Sequence, residues 1–562
     1  MDNMDNMKQK DIKKKIKEAE KYIDTIDQKL HNEGINKLNR LDIIKSIIVN
    51  ISNDDYNNDL LKLETFSFIK ELLKEVLYII PNSEISQQLF MFYGSKILKN
   101  SLDQFYTPIS ISTFMNSIVI KNKKYLDPAA GTGDLLISFT GDINLWEISK
   151  DAIEMATLNY SMNNKIMKIN HTNSLMSDIT NYYDYVIMNP PFGTKTVVKD
   201  KNVLNKFVLG KGRDKQEIGI LFLELSLKLL KESGILMAIL PGGYLGNSGN
   251  KYLRDYIIDN TRILSIIKLP SATFSRSGTG VSTYLIILKK ATIKKDYNIH
   301  ISEITEIGYE LNKKNTPIKY KINSDGEYII KDKNLVIEND FIELTKEIQK
   351  FSFDNNIDGL DSKDIPIEYD KCKLSDILND KNLVMEVFRY TKTYRKLIHN
   401  LLENKNIPLH SFCVHDVDYS FKIDKNLEYT YVDISEINTP LYNGKKILGS
   451  QLPGRAKNKV KKNDIIISRL RGNISYTVIL EDDIIVTNGV CVIRPLDINS
   501  VLIILSNLNS EDFKIQHQSL TTGSIMECIS DTDIKNILIN KDNDIVKYKK
   551  VYDSMLTLKE LL

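Results

Sequence analysis

Between residues 101 and 290, short apolar runs alternate with helical ones, and few folds accept that pattern. KYLDP, INLWE, YDYVIMNPP, GILMAILP, RILSIIKLP and STYLIILKK read as strands, while GILFLELSLKLLKES reads as a helix. Strands alternating with helices indicate an α/β domain on a mostly parallel sheet. Such sheets bind ligands at the carboxyl ends of their strands. Chemistry is therefore expected in the residues that follow each run.

The flanking sequence is of other kinds. Residues 8 to about 100 carry apolar side chains at helical spacing, such as Phe66, Ile69, Leu73 and Val76. The opening KQKDIKKKIKEAEKYIDTIDQKL is a charged amphipathic helix, either a solvated face or a surface turned to DNA or a partner. Residues 291–370 are polar and read as a connecting region with some local structure. Residues 371–540 return to strand-like runs (YTYVDIS, NDIIISRL, YTVIL, DIIVTNGVCVIRP) and read as a mixed α/β domain. Residues 541–562 end in a helix, and the N-terminal helical region spans 1–100. A length of 562 residues suits such a division, at about 150 residues per domain.

Composition excludes several classes. With 76 basic and 73 acidic residues the net charge is +3, so any basic surface must be local. Four cysteines rule out a disulfide scaffold. No apolar run reaches the roughly 18 residues of a membrane span. The N-terminus MDNMDNMKQKDIKKK lacks a signal-peptide core, so a cytoplasmic location is expected.

Three constellations carry chemistry. The first is Asp127-Pro128-Ala129-Ala130-Gly131-Thr132-Gly133-Asp134-Leu135-Leu136, directly after the strand Lys124 to Leu126. Its glycines let backbone amides approach a ligand. Glu147 ends the next strand, where a carboxylate can accept both hydroxyls of a ribose. The turn is not GxGxxG, which disfavours a dinucleotide pyrophosphate. A nucleoside without phosphates fits better, S-adenosylmethionine being the obvious one.

The second is Asn189-Pro190-Pro191-Phe192, after the strand Tyr183 to Met188. The prolines force the chain out of the sheet. They aim the Asn189 side-chain carbonyl and the Pro190 backbone carbonyl at one point. Two acceptors suit an exocyclic amino group, which has two hydrogens to donate. Adenine N6 is a poor nucleophile until such acceptors help it become tetrahedral. Phe192 can stack on the base. The plain alternative is a Pro-Pro turn with Asn189 in an Asx-turn. The third is Gln104-Phe105-Tyr106-Thr107-Pro108. Phe105 or Tyr106 would pack on a ligand adenine and Thr107 would bind its polar end, or the segment only starts a helix with Pro at its first position.

QFYTP, DPAAGTGDLL and NPPFG in this order resemble the gamma-class amino-methyltransferases of DNA. The likeness runs through LFLELSLKLLKESGILMAILPGGYL to LRDYIIDNTRILSIIKLPSATFSRSGTGVSTYLIILKK. That arrangement is similar to the modification subunit of type I restriction-modification systems, over roughly residues 60 to 290. The resemblance implies a Rossmann-like S-adenosylmethionine-dependent methyltransferase sheet as the catalytic domain over 101–290. It implies cofactor binding by Gln104, Phe105, Tyr106 and Thr107, by Asp127, Ala129, Gly131, Thr132, Gly133, Asp134 and Leu135, and by Glu147 and Asn189. It implies adenine-N6 catalysis by Asn189, Pro190, Pro191 and Phe192.

YVDISEIN, KKNDIIISRLRGN and LTTGSIMECISDTDIKNILI resemble one target-recognition unit of type I specificity subunits. The chain would then fuse modification and specificity. The expected activity is sequence-specific methylation of adenine N6 in double-stranded DNA, on a flipped base. It would serve restriction-modification or act alone, as a homodimer or beside a separate restriction subunit. A protein N5-glutamine methyltransferase also uses an Asn-Pro-Pro segment, but QFYTP and the long C-terminal part count against it. A non-catalytic DNA-binding scaffold is countered by the intact NPPF. No PD…(D/E)xK constellation stands in the first 100 residues and no Walker A lysine loop anywhere. Cleavage would therefore need another polypeptide.

Local charge fits DNA. After NPPF, residues 194–216 carry seven basic side chains, among them Lys195, Lys199, Lys211 and Arg213, against Asp200 and Asp214. Residues 445–471 carry nine, among them Arg455, Lys457, Arg469 and Arg471, against Asp464. These segments either hold phosphates and guanine edges or are solvated surface. His410, Cys413 and His415 fall short of the four ligands of a structural zinc site, so no metal is expected and the segment reads as a strand.

Overall fold

A computed structural model describes residues 8–51, 55–97, 106–191, 196–275, 280–292, 295–311, 317–331, 334–472, 474–523 and 526–561. The chain divides into two compact units. One is built from residues up to 369, apart from 245–248, and from 373–379; the other is built mainly from residue 380 onward.

In the first unit, helices α1 (Gln9–Ala19), α2 (Tyr22–Asn32), α3 (Lys37–Asn50), α4 (Phe66–Ile79) and α5 (Asn82–Ile97) precede the sheet. Each apolar stripe turns inward: Ile12 and Ile16 on α1, Ile26 and Leu30 on α2, Ile69, Leu73 and Val76 on α4 are all buried. Helix α6 (Ile109–Ile118) follows Pro108 and leads to strand β1 (Lys123–Asp127). Then come β2 (Gly141–Glu147), α7 (Lys150–Met162), β3 (Lys168–His171), β4 (Tyr183–Met188), α8 (Ile218–Leu229), β5 (Leu230–Pro241), α9 (Lys251–Asn260), β6 (Thr261–Lys268), β7 (Thr283–Lys290) and β8 (Asn298–Glu303). Ser149 starts α7 by accepting the amide of Ala152, the capping role that short hydroxyl side chains perform.

The strands lie side by side in the order β8-β6-β7-β5-β4-β1-β2-β3. β7 runs antiparallel to both neighbours, whereas β1–β2, β2–β3, β1–β4, β4–β5 and β6–β8 pair parallel. Central β5 is apolar on both faces, with Ile235 to Leu240 fully buried, because helices cover both sides of a parallel sheet. This is the Rossmann-like α/β arrangement. The strand order reverses between β1 and β4, which opens a crevice at their carboxyl ends.

The 291–370 stretch supplies more than a connection. Strand β8 joins the sheet beside β6, and helix α10 (Phe341–Asp354) buries Phe341, Leu344, Ile348 and Phe351. His300 on β8 bonds Ser265 of β6 at 2.8 Å and Glu347 of α10 at 3.2 Å. Phe341, Leu344, Ile348 and Phe351 share one apolar cluster with the N-terminal helices and with Tyr125, Leu145 and Ile187 of the sheet. The polar composition of the stretch hid this, because a few apolar residues at helical spacing suffice to dock one helix.

The larger sheets of the second unit have four and three strands. Strands β9 (Glu428–Val432), β10 (Lys445–Leu448), β11 (Ala456–Val460) and β14 (Ile484–Thr487) lie in the order β10-β9-β14-β11. Strands β12 (Ile465–Ser468), β13 (Tyr476–Val478) and β15 (Val490–Ile493) lie in the order β13-β12-β15. Helices α11 (Lys392–Glu403), α12 (Ile498–Leu508), α13 (Glu511–Ser519) and α14 (Ile545–Leu561) complete it. Ile465, Ile467, Val478 and Val490 share its core with Val501 and Leu505 of α12. The segment around His410 differs from the strand expected. Leu409–Phe412 is a single 3-10 turn after Pro408, and the Cys413 thiol donates to the Leu409 carbonyl. Among the described residues no helix is long and apolar enough to cross a membrane.

Phe351 tests whether α10 is integral to the first unit. Phe351→Ala should cost about 3–5 kcal/mol in denaturant unfolding of that unit, the usual price of an emptied phenylalanine site. A loss below about 1 kcal/mol, the scale of a surface substitution, would show that α10 is peripheral.

Candidate functional site

The site forms where β1, β2 and β4 end. After β1 the chain turns through Gly131 at φ +52° and Gly133 at φ +75°, both in the left-handed region. A Cβ on Gly131 would meet nothing within 4 Å, so this turn faces open space. A Cβ on Gly133 would sit 2.9 Å from the Tyr160 ring, so only glycine fits there. Glu147, at the end of β2, accepts the Gly131 amide at 2.8 Å with one oxygen. Its other oxygen accepts the amides of Ile148 and Ser149, each at 2.8 Å. Asp127 accepts the Ala129 amide at 3.0 Å. Asn159 on α7 bonds the Thr132 carbonyl and the Asp134 carboxylate, each at 3.1 Å. Thr132 donates its hydroxyl to Asp134 as well.

At the end of β4, Asn189 donates its side-chain N–H to the Thr107 hydroxyl oxygen at 3.1 Å. A cavity of about 490 Å³ joins these parts. Tyr106, Thr107, Asp127, Ala129, Gly131, Thr132, Asp134, Leu135, Glu147, Asn189 and Pro191 all line it. Gly133 is turned to Tyr160, and Pro190 is buried behind the wall. Gln104, Phe105, Phe192 and Lys195 lie outside the described residues.

Sequence reasoning missed further wall residues: Trp146, Ile148, Ser174, Val203, Ile218 and Phe222. Trp146 and Ile148 flank Glu147 and were findable as strand-end neighbours. Ile218 and Phe222 stand one turn apart on α8, a face that the apolar run GILFLELSLKLL hides.

The cavity is electronegative. Burial pushes the Asp127 carboxyl up to about 8; the Ala129 amide opposes this, while the charges of Glu147 and Asp134 add to it. Burial pushes Asp134 up to about 6 against the hydrogen bond from Thr132. Burial and the Asp134 charge raise the Tyr106 phenol. Lys199 is the only basic side chain among the described lining residues. Such a pocket suits a cation and disfavours phosphates.

The segment 196–216 closes the far wall and is anchored from behind. Fully buried Glu224 on α8 accepts the amides of Val208 at 2.7 Å and Leu209 at 2.8 Å. It pairs with Lys228 at 2.8 Å, which donates to the Lys206 carbonyl at 2.7 Å. Gln216 donates to the Leu209 carbonyl at 2.6 Å. Of the basic residues here, Lys201 pairs with Asp214, Lys206 with Asp178, and Arg213 lies 4.0 Å over the Tyr252 ring; Lys211 is exposed.

In the second unit the expected arginines are engaged internally. Arg455 pairs with Asp433, Arg469 with Asp531 at 2.6 Å and Arg471 with Glu527 at 2.5 Å. Arg471 also lies 3.9 Å over the Phe388 ring. Lys457 is exposed on β11.

The type II methyltransferase M.AccI of Acinetobacter calcoaceticus is 26% identical over 298 residues, 47% of this chain and 54% of that protein. The methylase subunit of the type I restriction enzyme MpnII of Mycoplasma pneumoniae is 24% identical over 290 residues, 43% of this chain and 53% of that protein. The chain thus spans about half the length of the curated relatives it matches. Among solved structures, the type IIG restriction endonuclease BpuSI is 15% identical at a TM-score of 0.46, over 92% of this chain and 68% of that one. The N-6 DNA Methylase family model matches residues 88–372, just over half the sequence and the whole of the cavity just described, and the chain belongs to that family.

Proposed function

We propose that this chain is a sequence-specific DNA methyltransferase that moves a methyl group from S-adenosylmethionine to N6 of an adenine flipped out of double-stranded DNA. The observation that carries the reading is that Asn189 lines the same cavity as Asp127, Gly131 and Glu147. An amide carbonyl and a cation-favouring nucleoside pocket then share one space. The order of QFYTP, DPAAGTGDLL and NPPFG supports the gamma class.

The chain's own residues do the following. Asn189, through its side-chain carbonyl, and Pro190, through its backbone carbonyl, accept the two hydrogens of the adenine amino group. N6 then becomes tetrahedral and its lone pair is free to attack. As the N–C bond forms, the methyl–sulfur bond of the sulfonium would break to leave a neutral thioether, and one N6 proton would pass to solvent, so no covalent bond to the protein is needed. Pro191 holds the segment out of the sheet, and Phe192 is assigned to stack on the flipped base.

S-adenosylmethionine supplies an electrophilic methyl group on a cationic sulfonium. Asp127, Asp134 and Glu147 match that charge. Glu147 accepts three backbone amides, and a carboxylate offers about four lone-pair sites, so a ribose hydroxyl can still be held. Ile148, half exposed, offers an apolar edge to the cofactor base. Tyr106, Thr107, Ala129, Thr132 and Leu135 line the pocket, Gly133 makes its turn, and Gln104 and Phe105 are assigned to the same cofactor.

Residues 371–540 are assigned to reading sequence as a specificity-subunit-like unit, and Lys195, Lys199, Lys211 and Arg213 to the backbone near the flipped base. The names of the type II and type I relatives support a place in restriction-modification, with solitary methylation as the other form. A homodimer or a separate restriction subunit is the partner this implies.

Asn189→Ala should abolish methyl transfer from labelled S-adenosylmethionine to duplex DNA while leaving cofactor binding near normal. Near-normal turnover would sink the mechanism. The carboxyls set a pH signature. Below about 8 Asp127 is largely protonated, and below about 6 Asp134 is too. A bound cation favours the ionised forms, so binding releases protons and affinity rises with pH from about 6 to about 8. The sole tryptophan, Trp146, lines the cavity and can report the titration by its fluorescence. Asp127→Asn should flatten the upper part of that rise; parallel curves for the two proteins would remove Asp127 from the pocket. Lys457→Ala should weaken all duplexes alike and reduce the logarithmic salt slope by about one. An unchanged slope would exclude Lys457 from the interface.

A further inference from the structure

We infer that Gln87 of helix α5, outside the sheet, is a positioning residue for the cofactor end of the cavity, its buried amide holding the Asp134 carboxylate ready for a cationic ligand. This rests on the S-adenosylmethionine part of the reading above and deepens it. Helix α5 is docked on α7: Asn82, at its start, donates to the Met162 carbonyl at the end of α7 at 2.8 Å. Further along α5, Gln87 is 3% exposed. Its side-chain NH2 has two hydrogens to donate. It donates to the Thr107 carbonyl at 3.4 Å and bonds the Asp134 carboxylate. Thr107 and Asp134 both line the cavity, so one amide ties together two of its walls.

The carboxylate needs such a donor. Asp134 is 6% exposed, and burial favours its neutral form. Glu84, one turn before Gln87 on α5, adds a charge that acts the same way. Glu84 is itself held by the Tyr309 hydroxyl and the Gln88 amide, each at 2.9 Å. Asp127 at the end of β1 shares the charge of this acid, and so do the phenols of Tyr106 and of Tyr160 on α7. Against these stand three donors: Thr132 of the turn itself, Gln87 from α5 and Asn159 from α7. The balance leaves the carboxyl at about 6, ionised at neutral pH. Two of its three donors are amides that reach in from helices. The charge that meets the cofactor therefore depends on a helix outside the sheet.

The test is Gln87→Met, which keeps most of the side-chain length and removes the donor. S-adenosylmethionine is titrated against wild type and variant across pH, with Trp146 fluorescence as the readout. With one donor gone the Asp134 carboxyl rises further, so more of it is neutral before the cation binds. Affinity should fall about tenfold near pH 6, the scale of one hydrogen bond to a charged group. The two proteins should converge above about pH 8, where Asp134 is ionised in both. Asp127 titrates in both proteins, so the ratio of their affinities isolates Asp134. A fall by one factor at every pH would overturn the inference, because Gln87 would then only pack its helix. Unchanged affinity would overturn it too. A second arm uses Asp134→Asn, which has no carboxylate to hold. There Gln87→Met should change affinity less than about twofold, as expected if Gln87 acts through Asp134. The full loss in that background would overturn the inference. Should Gln87→Met fail to fold, Gln87→Leu takes its place with the same expectations. If the wild-type chain does not bind S-adenosylmethionine at all, the cofactor reading falls and this inference with it. Binding by wild type with a pH-independent loss in the variant removes the inference alone.

Discussion

Glu147 joins two elements that the sheet alone would leave independent. One oxygen takes the Gly131 amide from the turn after β1, and the other takes the first amides beyond β2. Two parallel strands fix the height of their ends through their ladder, but nothing in a ladder fixes the loops above it. A carboxylate shared by both loops does. With the Gly131 turn held, Ala129, Thr132 and Asp134 fall on one wall. Met188 ends the neighbouring strand β4 beside it, so Asn189 opens onto the same space. The crevice at the strand-order reversal is given its depth by this contact.

Charge is the second organising term. Asp127, Asp134 and Glu147 would repel one another around the cavity if all were ionised. The structure answers with donors: Asp127 has the Ala129 amide, Asp134 has Thr132 and Asn159, and Glu147 has three amides. Burial first, and the neighbouring charges second, still leave the Asp127 and Asp134 carboxyls raised. A cationic ligand relieves that repulsion.

What the sequence disclosed was local. The strand Tyr183 to Met188 was legible because an apolar run stops at two prolines, and the turn after Asp127 because its glycines need positive φ. Pairings across long separations were not legible. Arg469 and Arg471 looked available for DNA, yet their partners Asp531 and Glu527 lie 62 and 56 residues further on. Gln87, whose side chain bonds the Asp134 carboxylate of the glycine turn, shows no motif at all. The polar 291–370 stretch concealed Phe351 and its neighbours, since composition averages away a few well-spaced apolar side chains.

The pairing of buried Glu224 with partly exposed Lys228 has a further consequence. It grips the loop 196–216 from behind through the amides of Val208 and Leu209 and the carbonyl of Lys206. Ordering a loop costs about 1–2 kcal/mol per residue in backbone entropy. Here that ordering belongs to folding, so a ligand that docks on this wall meets a surface already set. Dissociation rates, rather than a slow closing step, are then where changes in this loop should register.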